Sequence, residues 1–83
     1  MMDARCAQLE ELLVSSGWFH DGEALVAPHM TMAIAPSTSM PNFESFREAM
    51  SGAVAASEQD GEDELHDDLV SLVSALDVVL AGN

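Results

Sequence analysis

The sequence predicts a small α+β domain, with the order α-β-β(-β)-α-α and helices packed on a short antiparallel sheet. Three observations predict it. Apolar residues recur at helical spacing near the start, Asp21-Gly22 is a hairpin signal between two short apolar runs, and a long segment with helical periodicity closes the chain. A chain of 83 residues with 48% hydrophobic content suits one domain, so residues 1–83 are expected to fold as a single unit.

The first helix is predicted over residues 3–16. Leu9, Leu12 and Leu13 form its apolar side, while Glu10 and Glu11 fall on the other side. The glycine at position 17 suits the left-handed conformation that commonly ends a helix.

Residues 18–36 are predicted to form two or three short strands. Asp21-Gly22 would form the centre of a type I′ hairpin turn, where both central residues need a positive φ. In the run 30–35, Met and Ile alternate with smaller residues at the strand period of two, and Pro36 ends it. The adjacent aromatic residues Trp18 and Phe19 are expected to anchor the hairpin against the helices.

A loop over residues 35–42 leads into a second helix predicted over about 42–57. Asn42 is a candidate N-cap, because its side chain can accept a hydrogen bond from the first turn, and Ser39 is the alternative, with Pro41 in the first turn. Arg47 is placed to pair with Glu44, three residues earlier on the same helix.

The third helix is predicted from Asp60 or Gly61 to about Ala81. Its apolar stripe consists of residues spaced by four and three: Leu65, Leu69, Leu72, Leu76 and Val79. So apolar a helix is expected either at the centre of the domain or in the seam of a homodimer.

Charge is the unusual property of this chain. Fifteen Asp and Glu residues oppose two Arg and no Lys, which gives a net charge of −13. Direct binding to nucleic acid or to an anionic membrane is therefore not expected, because both require Lys and Arg. A single cysteine, Cys6, and the lack of a signal segment or an apolar run of about 20 residues predict a soluble, cytoplasmic protein.

The acidic charge is concentrated in residues 57–69, which contain no Lys or Arg. The candidate partner-binding residues of this stretch are Glu58, Asp60, Glu62, Asp63, Glu64, Asp67 and Asp68. A purely structural interpretation assigns Glu62, Asp63 and Glu64 to the first turn of the third helix, where carboxylates favour the helix dipole. This interpretation leaves the other four residues unexplained.

A metal site is a second interpretation of the same stretch, and it meets the ligand rules poorly. Counted from Asp60, the sixth and twelfth positions are Leu65 and Ser71, whereas a calcium EF-hand loop needs Gly and Glu there. His66 and Glu62 share helical spacing, but the sequence supplies no third or fourth zinc ligand. No metal or other cofactor is therefore expected.

Charge mimicry is a third interpretation, and it is the leading functional hypothesis. Carboxylates presented along a helix can occupy the basic groove of a nucleic-acid-binding protein or complex, as a DNA mimic of anti-restriction or anti-CRISPR type would. Glu10 and Glu11 would contribute if the first helix lies alongside the third.

The alternative function is that of an acidic partner protein, such as an immunity protein, an antitoxin-like inhibitor or a secretion chaperone. Such a protein would bind through an apolar groove, for which the flexible side chains of Met30, Met32, Met40 and Met50 are suited.

Enzymatic activity is not expected. The serines in 15–17 and 37–39 lack the G-x-S-x-G pattern of a nucleophile elbow. Cys6 lies on the apolar side of the first helix, where burial favours an inert thiol. The sequence thus predicts an inhibitor that acts by occupying a basic protein surface.

Overall fold

The computed structural model describes residues 4–35 and 42–82, and these form three helices and a three-stranded antiparallel sheet of order β1-β2-β3. In chain order the elements are α1 (Ala4–Ser15), β1 (Phe19–Asp21), β2 (Ala24–Val26), β3 (Ala33–Ile34), α2 (Phe43–Asp60) and α3 (Asp63–Ala81). The predicted α+β class and element order are confirmed. Most of the predicted loop over 35–42, namely residues 36–41, lies outside the described residues.

Helix α1 ends where the sequence places a glycine. Gly17 has a φ of +104°, and the N–H of Trp18 donates to the carbonyl of Leu13 at 3.0 Å. A Cβ at position 17 would lie 3.3 Å from Cγ of Pro28. Glycine is therefore favoured both by its backbone conformation and by the close approach of the following turn.

The hairpin turn lies one residue later than predicted. Asp21 pairs with Ala24, so Gly22 and Glu23 are the central residues. Gly22 has a φ of +66°. Glu23 does not have a positive φ, because Met30 is the only non-glycine residue with one in the described part of the chain. The type I′ prediction is therefore wrong, and glycine in the first central position alone suits a type II′ turn.

The third strand is shorter than the alternation predicts. Residues 28–31 form a turn in which the N–H of Met30 donates to the carbonyl of Ala27 at 2.8 Å. The N–H of Ala27 donates in turn to the carbonyl of Met32 at 3.0 Å, and strand pairing follows only from there. The turn after Pro28 removes the first half of the expected strand.

The start of α2 matches the sequence prediction, but the arginine pair does not. The side chain of Asn42 accepts a hydrogen bond from the N–H of Ser45 at 3.1 Å, which confirms Asn42 as the N-cap, whereas the alternative Ser39 lies outside the described residues. Arg47 donates through Nε to Asp77 at 2.7 Å instead of pairing with Glu44. Because α2 and α3 pack side by side, this contact between Arg47 and Asp77 joins the two helices.

The junction of α2 and α3 lies later in the sequence than predicted. Gly61 has a φ of +72°, its N–H reaches the carbonyls of Ser57 and Glu58, and the N–H of Glu62 donates to Ser57. This left-handed glycine ends α2 at Asp60 instead of starting the next helix. Residues 58–60 therefore belong to the end of α2.

Helix α3 lies at the centre of the core. Its buried stripe packs against α1, α2 and the inner face of the sheet, and the core comprises Cys6, Leu9, Leu13, Trp18, Leu25, Ala27, Ile34, Phe43, Leu72, Ala75, Leu76 and Val79. The Trp18 side chain is 2% exposed, and its Nε1–H donates to Oγ of Ser71 at 3.1 Å. Trp18 thus anchors the hairpin as predicted, whereas Phe19 is exposed.

Candidate functional site: an acidic corner

Six of the predicted partner-binding carboxylates lie around the junction between α2 and α3, and all six are exposed. We call this set the acidic corner: Glu58 and Asp60 in the last turn of α2, Glu62 after Gly61, and Asp63, Glu64 and Asp67 in the first two turns of α3. Because one glycine reverses the chain between two helix ends, the corner gathers carboxylates from both helices onto one part of the surface.

Helix electrostatics accounts for only part of the acidic corner. Asp63 and Glu64 lie in the first turn of α3, where the positive end of the helix dipole favours them. Glu58 and Asp60 lie in the last turn of α2, where the negative end of the dipole disfavours carboxylates, and this turn contains no basic residue. These two charges are therefore placed against the electrostatic preference of their own helix.

Asp68 differs from the other acidic residues, because its side chain is only 1% exposed. Its carboxylate accepts a hydrogen bond from Oγ1 of Thr31 at 2.7 Å and from the backbone N–H of His29 at 3.3 Å, and the His29 Nδ1 lies 2.8 Å away. Asp68 therefore does not belong to the exposed acidic face where the sequence analysis placed it.

The contacts of Asp68 give this carboxylate a structural role. It lies on the core side of α3, next to the buried Leu69 and Leu72, and fixes the turn over residues 28–31 to the helix. A buried carboxylate is stable only when it is paired and hydrogen-bonded, and these contacts meet that requirement. Sequence periodicity places Asp68 near the core, but the sequence carries no signal for its partners, which lie 37 and 39 residues away.

The pKa of His29 is raised above its ordinary value of 6.5. The hydrogen bond to Asp68 is the main cause, partial burial of the ring opposes it, and the negative charges of Asp68, Glu64 and Asp67 add to it. His29 is therefore electrostatically coupled to the acidic corner, and it is a residue that the sequence analysis did not select as part of the site.

The structure does not bring Glu10 and Glu11 to the acidic corner. Both line an open groove along α1, where Glu10 lies 3.2 Å from Nε2 of His20. A Cβ placed on Gly82 would lie 3.6 Å from the side chain of Gln8. The corresponding part of α1 therefore lies beside the C-terminal end of α3, whereas the acidic corner lies at its N-terminal end.

An apolar groove of about 420 Å³ lies between the sheet and α2, and its lining includes Met32, Ile34, Phe46 and Met50. It contains two of the four methionines that the sequence analysis assigned to an adaptable surface. Met30 lies outside this groove on the exposed turn, and Met40 lies outside the described residues.

His66 has a structural role in joining the two long helices. Its Nδ1 lies 3.3 Å from Oγ of the buried Ser57 and 3.4 Å from the carbonyl of Val54. Across residues 4–35 and 42–82, no three His, Cys, Asp or Glu side chains are grouped so that they could hold a metal ion.

Over residues 4–35 and 42–82, the structure is a small α+β fold whose surface includes the acidic corner and the apolar groove. No family model, curated protein or solved structure matches the chain. In the part of the chain that the structure describes, none of the helices has both the length and the apolar character needed to cross a bilayer.

Proposed function

We propose that this protein inhibits a nucleic-acid-binding protein or complex by occupying its basic surface with the acidic corner. It would act as a DNA-mimic-like inhibitor of anti-restriction or anti-CRISPR type, by binding alone and without a cofactor. The observation that carries the proposal is the position of Glu58 and Asp60, which stand at the negative end of α2 without a basic neighbour in that turn. A cationic partner would relieve this unfavourable placement.

The two arginines of the chain are engaged elsewhere, which leaves the acidic corner available to a partner. Arg47 binds Asp77, which lies about 15 Å along α3 from Asp67 at the usual helical rise. The guanidinium of Arg5 lies over the Phe43 ring, 4.8 Å from its centroid. The field of the corner therefore extends into solvent, where it can steer a basic surface toward the protein.

The proposal includes a cytoplasmic location, where the proposed partners of an inhibitor of this kind act. The single cysteine is buried and does not require an oxidising compartment.

A second candidate function rests on the groove beside Met32 and Met50. An immunity protein, an antitoxin-like inhibitor or a secretion chaperone would use such a groove to bind an apolar segment of its partner. A homodimer through α3 is less well supported, because the apolar stripe of this helix is buried within the monomer. Only the exposed Val70 and Val78 would remain for such a dimer among the large apolar residues of α3.

Reversal of charge at the acidic corner tests the proposed function. The variant E58K/D60K/D67K replaces three exposed carboxylates of the corner, and the control E11K/E23K/E48K makes the same change of net charge at exposed positions elsewhere. Wild-type and variant proteins are immobilised and exposed to host extract at about 50 mM and about 500 mM salt. We expect wild type and control to retain a nucleic-acid-binding protein at low salt, and the corner variant to lose it.

The captured protein is then assayed for DNA or RNA binding in the presence of each variant. Loss of its nucleic-acid binding with wild type and control, but not with the corner variant, supports the proposal. Capture that persists at high salt and in the corner variant, but is lost in M32S/M50S, would instead support the groove-binding function.

A further inference from the structure

Met30 combines a highly exposed apolar side chain with an uncommon backbone conformation. Its side chain is 71% exposed, and its backbone has a φ of +59°. A positive φ is uncommon for a residue with a long side chain, and glycine or asparagine would take this conformation more easily. The backbone conformation therefore disfavours methionine at this position on grounds of folding alone, and the exposed side chain makes few contacts that would compensate for it.

The strained turn is held from both sides by one buried carboxylate. Asp68 accepts the backbone N–H of His29 and the hydroxyl of Thr31, and the N–H of Met30 itself donates to Ala27 at 2.8 Å. The two neighbours of Met30 are thus fixed to α3, and its side chain is presented from a pre-organised turn.

The turn adjoins the acidic corner. Thr31 lines the same surface depression, of about 450 Å³, as Glu62, Asp63 and Glu64. His29, on the other side of Met30, is close enough to Glu64 and Asp67 for their charges to favour its protonated form. An exposed apolar side chain therefore stands beside a cluster of carboxylates.

We propose that Met30 is the apolar anchor of the partner-binding surface, and that its partner is a protein surface with an apolar contact point surrounded by Lys or Arg. This inference rests on the proposed function, because the acidic corner must bind a cationic partner for the adjacent anchor to be used. Strain that is retained at an exposed residue is typical of binding sites, where a fixed conformation lowers the entropy lost on binding. Methionine suits this role, because its flexible side chain adapts to irregular apolar surfaces.

Two synthetic peptides of equal positive charge serve as probes, one alternating Lys pairs with Leu pairs and the other alternating Lys pairs with Ser pairs. Each carries a fluorophore, and binding is followed by anisotropy at about 50 mM and about 500 mM salt. The variants are Met30→Gly and Met30→Asn, both compatible with the backbone. Val14→Ala and Val78→Ala are controls that shorten other exposed apolar side chains.

We expect wild type and both controls to bind the Leu-containing peptide at least about five-fold more tightly than the Ser-containing one. Both Met30 variants should reduce this preference to less than about two-fold, while their melting temperatures equal or exceed that of wild type, because the backbone strain is relieved. Loss of the preference without loss of stability identifies Met30 as a binding residue.

The possible failures are distinguishable. Equal, salt-sensitive binding of both peptides by wild type overturns the anchor but leaves the acidic corner in place. Salt-insensitive binding, or none, counts against the proposed function itself. A preference that persists in both Met30 variants but is lost in M32S/M50S overturns the anchor and assigns apolar binding to the groove.

Discussion

The Nδ1 atom of His29 lies 2.8 Å from Oδ1 of the buried Asp68, although 39 residues separate the two along the chain. This contact, together with the hydroxyl of Thr31, fixes the turn after Pro28 to the second turn of α3. The same carboxylate that the sequence assigns to an acidic surface therefore stabilises the tertiary structure.

Substitution of Asp68 by Asn should destabilise the fold by about 2–3 kcal/mol, because charge-assisted hydrogen bonds from two neighbours are lost in a buried site. Chemical denaturation in urea measures this loss. The matched control is Asp67→Asn, which changes the same charge at an exposed neighbouring position and should shift stability by less than about 0.5 kcal/mol. Equal effects of the two substitutions would contradict the structural role of Asp68.

The stability of the protein should depend on pH through His29. Because its pKa in the folded state is raised above 6.5, chiefly by the hydrogen bond to Asp68, the protonated imidazole stabilises the fold. This contribution is fully present below the unfolded-state pKa and is lost as the pH rises through the folded-state pKa. Between about pH 6 and about pH 8.5, the free energy of unfolding should fall more steeply for wild type than for His29→Gln. Parallel pH profiles would show that His29 makes no such contribution.

Replacement of Glu58 and Asp60 by Lys should stabilise the protein while weakening partner binding. Cations are favoured in the last turn of a helix, and two like charges are removed from the corner. The melting temperature should rise by about 3–6 °C, as measured by circular dichroism. The control is the double variant E11K/E48K, which makes the same change of net charge at exposed positions outside the last turn of α2. A lower melting temperature in E58K/D60K would mean that the native carboxylates are favourable where they stand.

Salt should raise the melting temperature of wild type, because counterions screen the mutual repulsion of a chain with a net charge of −13. The rise between about 20 mM and about 500 mM NaCl should be smaller in E58K/D60K, since part of the repulsion is already removed. A melting temperature that stays constant or falls with salt would show that the charges are compensated within the folded chain.

Local sequence signals predicted most of the helices and their ends, and long-range contacts explain where the structure differs from the predicted strands. Helical spacing around Leu72 and Leu76, the Asn42 cap and the Gly17 stop were all readable from neighbouring residues. The extent of the third strand was not, because the turn at Met30 depends on a carboxylate from α3.

The acidic site, like the fold, was predicted from the sequence only in part. The run of acidic residues at 57–69, which contains no Lys or Arg, indicated the six exposed carboxylates of the corner, since charged residues usually remain at the surface. The burial of Asp68 and the separation of Glu10 and Glu11 from the corner depend on how α1, α3 and the turn pack together. The role proposed for Met30 likewise requires its backbone conformation, which no local pattern specifies.

The left-handed backbone conformation of Gly61 determines where the carboxylates of the acidic corner lie relative to one another. Asp and Glu can replace one another around it with little change in the field that a partner meets, whereas any side chain at position 61 would strain the junction. For the proposed inhibitor, selection would let the charged positions drift widely while holding this one uncharged residue constant. A partner that evolves to escape the proposed inhibitor would accordingly meet an acidic corner whose charges are easily exchanged, while the backbone that presents them stays the same.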